Sequence, residues 1–242
     1  MERIVIFGDI HGNLPALEAV FADMQQRGYT DNLYCLGDLV GYGTAPNEVI
    51  DFIRSRQIPT IMGNYDQGVG NDSDDCGCAY KTDIARKLGE RSIAWSNAHV
   101  TDDNKAYLRS LKQNISVKVG TFDVLLVHGS PRKINEYLYQ DRSDDSIERI
   151  MDSINADVLV CGHTHLPYHR SLPSGRQIVN AGSVGKPKDN NRDACYVVLS
   201  ADDDQLDVAF IRVPYDVEKI AKAIEASDMP AEYAQMLRDG RG

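Results

Sequence analysis

Gly8-Asp9-Ile10-His11-Gly12-Asn13 sets a carboxylate and an imidazole two residues apart, directly after the apolar run at 4–7. A strand that ends in a loop carrying Asp and His is a common way to hold a metal ion at the carboxyl edge of a sheet. Alone, such a pair more often makes a turn and a helix cap. The arrangement recurs, however: Asp38 follows Gly37, Asn64 follows Gly63, His128 precedes Gly129, and His163 and His165 follow Gly162. Seven residues of metal-ligand type thus end apolar runs beside glycine, which lets the backbone turn and approach a ligand closely. Four of the chain's six histidines are among them, a larger share than turn chemistry accounts for.

The segments that carry these residues alternate in type. Residues 4–7, 33–36 and 58–62 read as strands. Asn13 caps a helix with Pro15 in its first turn, and Leu14, Leu17, Val20, Phe21 and Met24 recur at helical spacing. Pro46 begins a second helix with Val49, Ile50 and Ile53 on one face. This is a βαβαβ unit with its polar residues at one edge. Residues 67–112 break the rhythm: a loop through Gly68, Gly70 and the acidic 71–75 precedes helices at 79–90 and 101–111. They read as a helical insert beside the site. Then follow a hairpin (115–119 and 124–127), a helix carrying Ile147, Ile150, Met151 and Ile154, and strands at 158–161, 177–179, 195–199 and 206–213. A helical tail starts near Asp216, and with no repeat or low-complexity linker one α/β domain over 1–242 is expected.

Composition narrows the function classes. A formal charge of −10 and a pI near 5.0 argue against a nucleic-acid scaffold or an anionic membrane surface as partner. They do not argue against a small phosphorylated substrate, because bound metal ions reverse the local sign. No apolar run approaches the ~18 residues of a membrane span, no signal peptide precedes the first strand, and the five cysteines are scattered. A cytoplasmic protein with reduced thiols is expected.

The blocks Gly8-Asp9-Ile10-His11-Gly12-Asn13, Gly37-Asp38-Leu39-Val40-Gly41, Gly63-Asn64-Tyr65-Asp66, His128-Gly129 and Gly162-His163-Thr164-His165 occur in this order through about three quarters of the chain. The pattern resembles the calcineurin-like metallophosphoesterase superfamily, in its small bacterial and archaeal phosphodiesterase-type branch. The resemblance implies a four-layer αββα sandwich of two mixed sheets flanked by helices, with a dinuclear metal site at the carboxyl edge. It assigns Asp9, His11 and His165 to one metal, Asn64, His128 and His163 to the other, and Asp38 to both. Mixed N and O ligands suit two divalent transition-metal ions: Mn, Fe, Zn, Co or Ni. The implied chemistry is in-line attack by a hydroxide bridging two ions about 3.5–4 Å apart, with no Ser or Cys nucleophile.

One departure bears on the substrate. Many members carry His directly after the Gly-Asn of the third block, the usual acid for the leaving alkoxide; here that position is Tyr65. A phenol with a pKa near ~10 is not equivalent to an imidazole near ~6.5. Tyr65 either donates a hydrogen bond to the leaving oxygen or packs over the metal loop. With Asp38 and Asn64 it completes the catalytic candidates, and the reading is a phosphodiesterase-like enzyme favouring good leaving groups. Alternatives are a nucleotide or dinucleotide polyphosphate hydrolase, a phosphomonoesterase, or a non-catalytic scaffold, the last disfavoured by a full ligand set. Asn13 and Arg132 are candidate substrate contacts, against plainer readings as a helix cap and, with Lys133, a solvated charge pair. Asn180 and Ser183 are expected to support the ligand loops, and Lys186 to add positive charge. Cys76 and Cys78 read as turn thiols, and His99 and His169 as weak substitutes for the missing acid.

Overall fold

The apolar runs are buried on both faces, which is why they read as continuous rather than alternating. In β1 (Glu2–Phe7), Ile4 and Ile6 enter one core while Val5 and Phe7 enter another. In β5 (Val158–Cys161), Val158 and Val160 share the first of these cores, and Leu159 and Cys161 enter a third. The side chains of a strand alternate across its faces, so each strand joins two cores. The computed structural model describes residues 2–202 and 205–241.

Two mixed sheets result. In the first, β1 pairs parallel with β2 (Leu33–Cys35) and antiparallel with β8 (Ala194–Asp202), which pairs with β9 (Gln205–Val213), in the order β2-β1-β8-β9. The second contains β3 (Asn114–Val119), β4 (Phe122–Val127), β5, β7 (Gln177–Asn180) and β6 (Tyr168–Ser171), in the order β3-β4-β5-β7-β6. Its central pairs, β4 with β5 and β5 with β7, are parallel. The sheets face each other across Ile4, Ile6, Leu126, Val160, Val179, Val197 and Leu199.

Helices close both outer faces and give the four-layer αββα arrangement. On the first sheet lie α1 (Leu14–Gln26), α2 (Pro46–Ser55), α3 (Asn64–Gly70) and α5 (Asp102–Ser110), packed through Leu17, Val20, Ile50, Ile53, Val69 and Leu108. On the second, α6 (Asp144–Met151) buries Ile147, Ile150 and Met151. Leu88 of α4 (Asp83–His99) joins the C-terminal pair α7 (Val217–Glu225) and α8 (Glu232–Asp239) in a fourth cluster.

Three local expectations are corrected. Residues 58–62 form no ladder: they make single bridges, Thr60 to Cys35 and Ile61 to Lys112, and Pro59 has no N–H to extend the pairing. The segment expected as a loop from residue 67 is instead α3, whose Gly68 and Gly70 lie against Ile93 and Leu108. The following helix is α4, which starts at Asp83 on the Thr82 cap and runs nine residues beyond the expected end, from 90 to 99.

Ile6 is fully buried between the sheets. Ile6→Ala is expected to lower unfolding free energy by about 2–5 kcal/mol, read as a shift of the urea midpoint at unchanged slope.

Candidate metal centre

All seven candidate ligands meet at one edge of the two sheets, and each is at most 3% exposed. Asp9 and His11 follow β1, Asp38 follows β2, Asn64 opens α3, His128 follows β4, and His163 and His165 follow β5.

The backbone there is held in a conformation residues with a Cβ rarely adopt. Asp9, His11, Asp38, His163 and His165 all have φ between 51° and 65°. Each such residue costs on the order of 1–3 kcal/mol and persists only where its surroundings over-determine it. Here the loops bind one another: Asp9 N–H donates to Gly37 O, Ile10 and His11 N–H both donate to Asp38 O, and Gly12 N–H donates to Leu39 O. Ser183 Oγ donates to Asp9 O at 2.8 Å, and Asn180 Nδ2 donates to Gly162 O at 2.7 Å. Glycine is required where the loops touch the carboxylates. A Cβ at Gly63 would lie 2.1 Å from Asp38 Oδ1, and one at Gly162 would lie 2.6 Å from Asp9 Oδ2.

The side chains form two clusters. Asp9, His11 and His165 offer ligand atoms within 4.8 Å of one another, and so do Asp38, His128 and His163. Asp38 Oδ2 lies 3.6 Å from His11 Nε2 and 3.4 Å from His128 Nε2, so it faces both. Asn64 Oδ1 lies 3.0 Å from His128 Nε2, and its Nδ2 is turned the other way by donating to Cys76 O at 3.0 Å. The Nδ1 atoms of His11, His128 and His165 lie 2.9, 2.8 and 2.6 Å from the carbonyls of Val40, Leu36 and Lys186. A carbonyl only accepts, so each Nδ1 carries the proton and each Nε2 faces inward. Asp9 Oδ1 and His163 Nε2 are buried with no hydrogen-bond partner among the described residues. Orphaned acceptors of this kind are costly unless a cation satisfies them, and this donor set fits two divalent ions of the borderline class.

Burial raises the Asp9 carboxyl, lowers His11 to about 3, and holds His163 and His165 well below the usual imidazole range. His128 goes the other way. Burial opposes its charge, but the charge and hydrogen bond of Asp38 push it up to about 10. Both its nitrogens face acceptors, as an imidazolium requires. A proton on His128 therefore offsets carboxylate charge that a metal ion would otherwise neutralise.

Asp66 is the functional residue sequence reasoning passed over. Its Oδ2 accepts from the N–H of Asp38 (2.7 Å) and Gly63 (2.9 Å), and its Oδ1 from that of Leu39 (2.8 Å). It fixes the Asp38 loop to the start of α3. The available signal was an Asp at the third position of a helix opened by Gly-Asn.

A cavity of about 350 Å³ lies over the clusters, bordered by His11, Asp38, Asn64, His163 and His165. Tyr65 also borders it, with its ring edge-on to His11 at 5.4 Å and its hydroxyl 3.4 Å from that of Tyr80. So does Cys78, whose Sγ is 3.3 Å from that of Cys76 and 3.3 Å from Asn64 Nδ2, so the loop that carries the two thiols lies beside the centre. Asn13 and Arg132 do not line it. Asn13 caps α1 through Oδ1 and donates from Nδ2 to Gly185 O and Tyr215 Oη, which uses up its amide. The Arg132 guanidinium is held by Glu136 in an i,i+4 pair. His99 stacks on Trp95 and His169 bonds Gln177, both exposed and outside the cavity lining.

Two outcomes follow from this geometry. Loading a divalent metal near neutral pH must expel the His128 proton, so apparent affinity rises with pH toward about 10, by about tenfold per unit for one proton. Calorimetric titration in buffers of different ionisation enthalpy reads that proton. Asp66→Ala strands three buried N–H donors. It is expected to weaken metal binding by about 10–100-fold and to lower the melting temperature.

A family model described as the Calcineurin-like phosphoesterase superfamily domain matches residues 2–204. An uncharacterized protein of Methanocaldococcus jannaschii is 32% identical over 255 aligned positions, covering 98% of each chain. A crystal structure of a metallophosphoesterase from Sphaerobacter thermophilus is similar with a TM-score of 0.77 at 28% identity, covering 99% of each chain. A hypothetical protein from Pyrococcus horikoshii OT3 shares the fold with a TM-score of 0.84 at 24% identity, again over 99% of each. A symmetrical bis(5'-nucleosyl)-tetraphosphatase from Pectobacterium atrosepticum is 35% identical over 63 residues, 25% of this chain and 22% of that one. A match of this extent, on a sheet edge whose donors call for metal, decides the family: the chain belongs to the calcineurin-like phosphoesterase superfamily.

Proposed function

We propose that this protein hydrolyses phosphate esters with two divalent metal ions, and that esters with good leaving groups, phosphodiesters among them, are its substrates. The observation that carries this reading is the pair of buried clusters facing one cavity, with Asp38 Oδ2 directed at both. Two ions held there supply a nucleophilic hydroxide at neutral pH and a Lewis-acid clamp on the phosphate oxygens. Mn, Fe, Zn, Co and Ni all suit the donors.

The chain's own residues do the rest. Asp38 sets the spacing of the clusters, while Asn64, turned by Cys76 O, aims its carbonyl oxygen inward. Tyr65 is anchored through its N–H to Asp38 Oδ1 at 2.8 Å. Burial raises its phenol well above the ordinary value, so it donates a hydrogen bond to a leaving oxygen without giving up the proton. Leaving groups that depart as stable anions need no more than that. A retained set of seven ligands speaks for catalysis over a purely structural role. The local likeness to a bis(5'-nucleosyl)-tetraphosphatase supports a second reading, hydrolysis of a nucleoside polyphosphate, in which the leaving group is itself a phosphate.

Rates on an aryl diester, an aryl monoester and an alkyl monoester, each with Mn²⁺ and the other ions, test the proposal. The aryl esters are expected to turn over and the alkyl ester to lag by about 100-fold or more, with Tyr65→Phe slowing the alkyl ester further, by about tenfold. Equal rates on all three esters sink the leaving-group argument, and no metal-dependent hydrolysis of any sinks the enzyme.

A further inference from the structure

The cavity above the metal centre carries features that phosphate-ester cleavage does not use. Its volume of about 350 Å³ lies within the ~300–1,000 Å³ range of small-molecule sites. Six of the chain's twelve tyrosines line it: Tyr42, Tyr65, Tyr80, Tyr137, Tyr139 and Tyr233. Tyr137 lies 4.1 Å from the ring of His163 and stacks on Tyr139 with planes 12° apart. Tyr139 is 39% exposed, one of only two large apolar side chains so placed among the described residues.

Lys186 and Lys188 line the same cavity. Lys186 is 4% exposed, and its Nζ sits 4.5 Å from the ring centre of Tyr42 and 5.5 Å from that of Tyr233. Among the described residues no carboxylate oxygen lies within 4.0 Å of either Nζ. Lys105, Arg142 and Arg212, by contrast, are paired with Asp72, Glu136 and Asp189. With two rings and, among the described residues, no carboxylate at hand, the Lys186 amine is open to an anion that enters the cavity. The Lys186 carbonyl accepts from His165 Nδ1, which fixes this segment to the metal centre.

We propose that Lys186, Lys188 and the tyrosines around them form a nucleotide subsite: the lysines take a phosphate beyond the one at the metal centre, and the rings take the base. An inorganic polyphosphate has no use for a tyrosine wall, and a simple aryl ester brings no second anion for the lysines. A nucleotide with two or more phosphates supplies both. The subsite rests on the phosphoesterase reading and names its substrate class.

Calorimetric titration of the Mn²⁺-loaded full chain with α,β-methylene ADP, whose carbon bridge resists cleavage, reads the subsite without turnover. This probe is expected to bind about tenfold or more tighter than methylenediphosphonate, which has the anions but no base. Lys186→Gln and Lys188→Gln are each expected to weaken it by about fivefold or more, and Lys188→Arg to stay within about twofold. Equal binding of the two probes overturns the proposal, and so does unchanged binding in both glutamine variants. Lys188 is only partly buried, so its variants keep the test valid should Lys186→Gln fail to fold. Hydrolysis of an aryl diester by the wild type is scored separately. Its absence with probe binding intact removes the phosphoesterase reading and leaves the subsite standing.

Discussion

Asp9 and Asp38 are carboxylates almost wholly removed from water, at most 1% exposed, and most of the architecture answers to that. A charge in such a place is costly unless it is paired or bound to a cation. The Asp38 charge pushes the His128 imidazole up, while burial holds the other imidazoles around the carboxylates well below the usual range. Neutral imidazoles with Nδ1 committed to backbone carbonyls have no positive charge to offer, only lone pairs. Such an edge is electrostatically incomplete as protein, and its two clusters of donors suit cations.

Holding that edge requires rigidity on both sides. Asp9, His11 and Asp38 come from the first sheet; His128, His163 and His165 come from the second. The distance between the two halves is set by the core between the sheets, where Ile4 and Ile6 meet Leu126, Val160 and Val179. Five ligands with left-handed backbones add strain of several kcal/mol, which hydrogen bonds between the loops and the close-packed layers beneath must offset. Site and core are therefore energetically coupled.

What the sequence disclosed follows from the same physics. Ligands that end strands buried on both faces leave a plain trace: an unbroken apolar run, a glycine, then a polar residue, as at Phe7-Gly8-Asp9 and Cys161-Gly162-His163. Where the trace failed, the cause was tertiary. Gly68 and Gly70 argue against a helix in isolation, yet α3 forms because both pack closely on α4 and α5. The edge strand β6 carries His169, Arg170 and Ser171, which give no apolar signal, and it exists by pairing with β7. Asp66 was read only as part of a motif, because its three N–H partners lie mostly on a loop far away in sequence. Arg132 shows the converse. Its i,i+4 partner Glu136 was visible, and the guanidinium sits in that local pair outside the cavity lining.

Chemistry and selectivity are drawn from different parts of the chain. Six of the seven candidate ligands sit on short loops after strands, where hydrogen bonds between the loops hold them. The cavity wall comes from elsewhere: Cys78 and Tyr80 from the segment before α4, Tyr137 and Tyr139 from the loop after β4, and Tyr233 from α8. These segments also reach the centre itself, since Cys76 O orients Asn64 and the Tyr80 hydroxyl meets that of Tyr65. A change in the segment before α4 thus reaches both the cavity wall and the Asn64 amide. Tyr65 has the same double character, since its N–H is anchored on Asp38 Oδ1 while its ring lines the cavity.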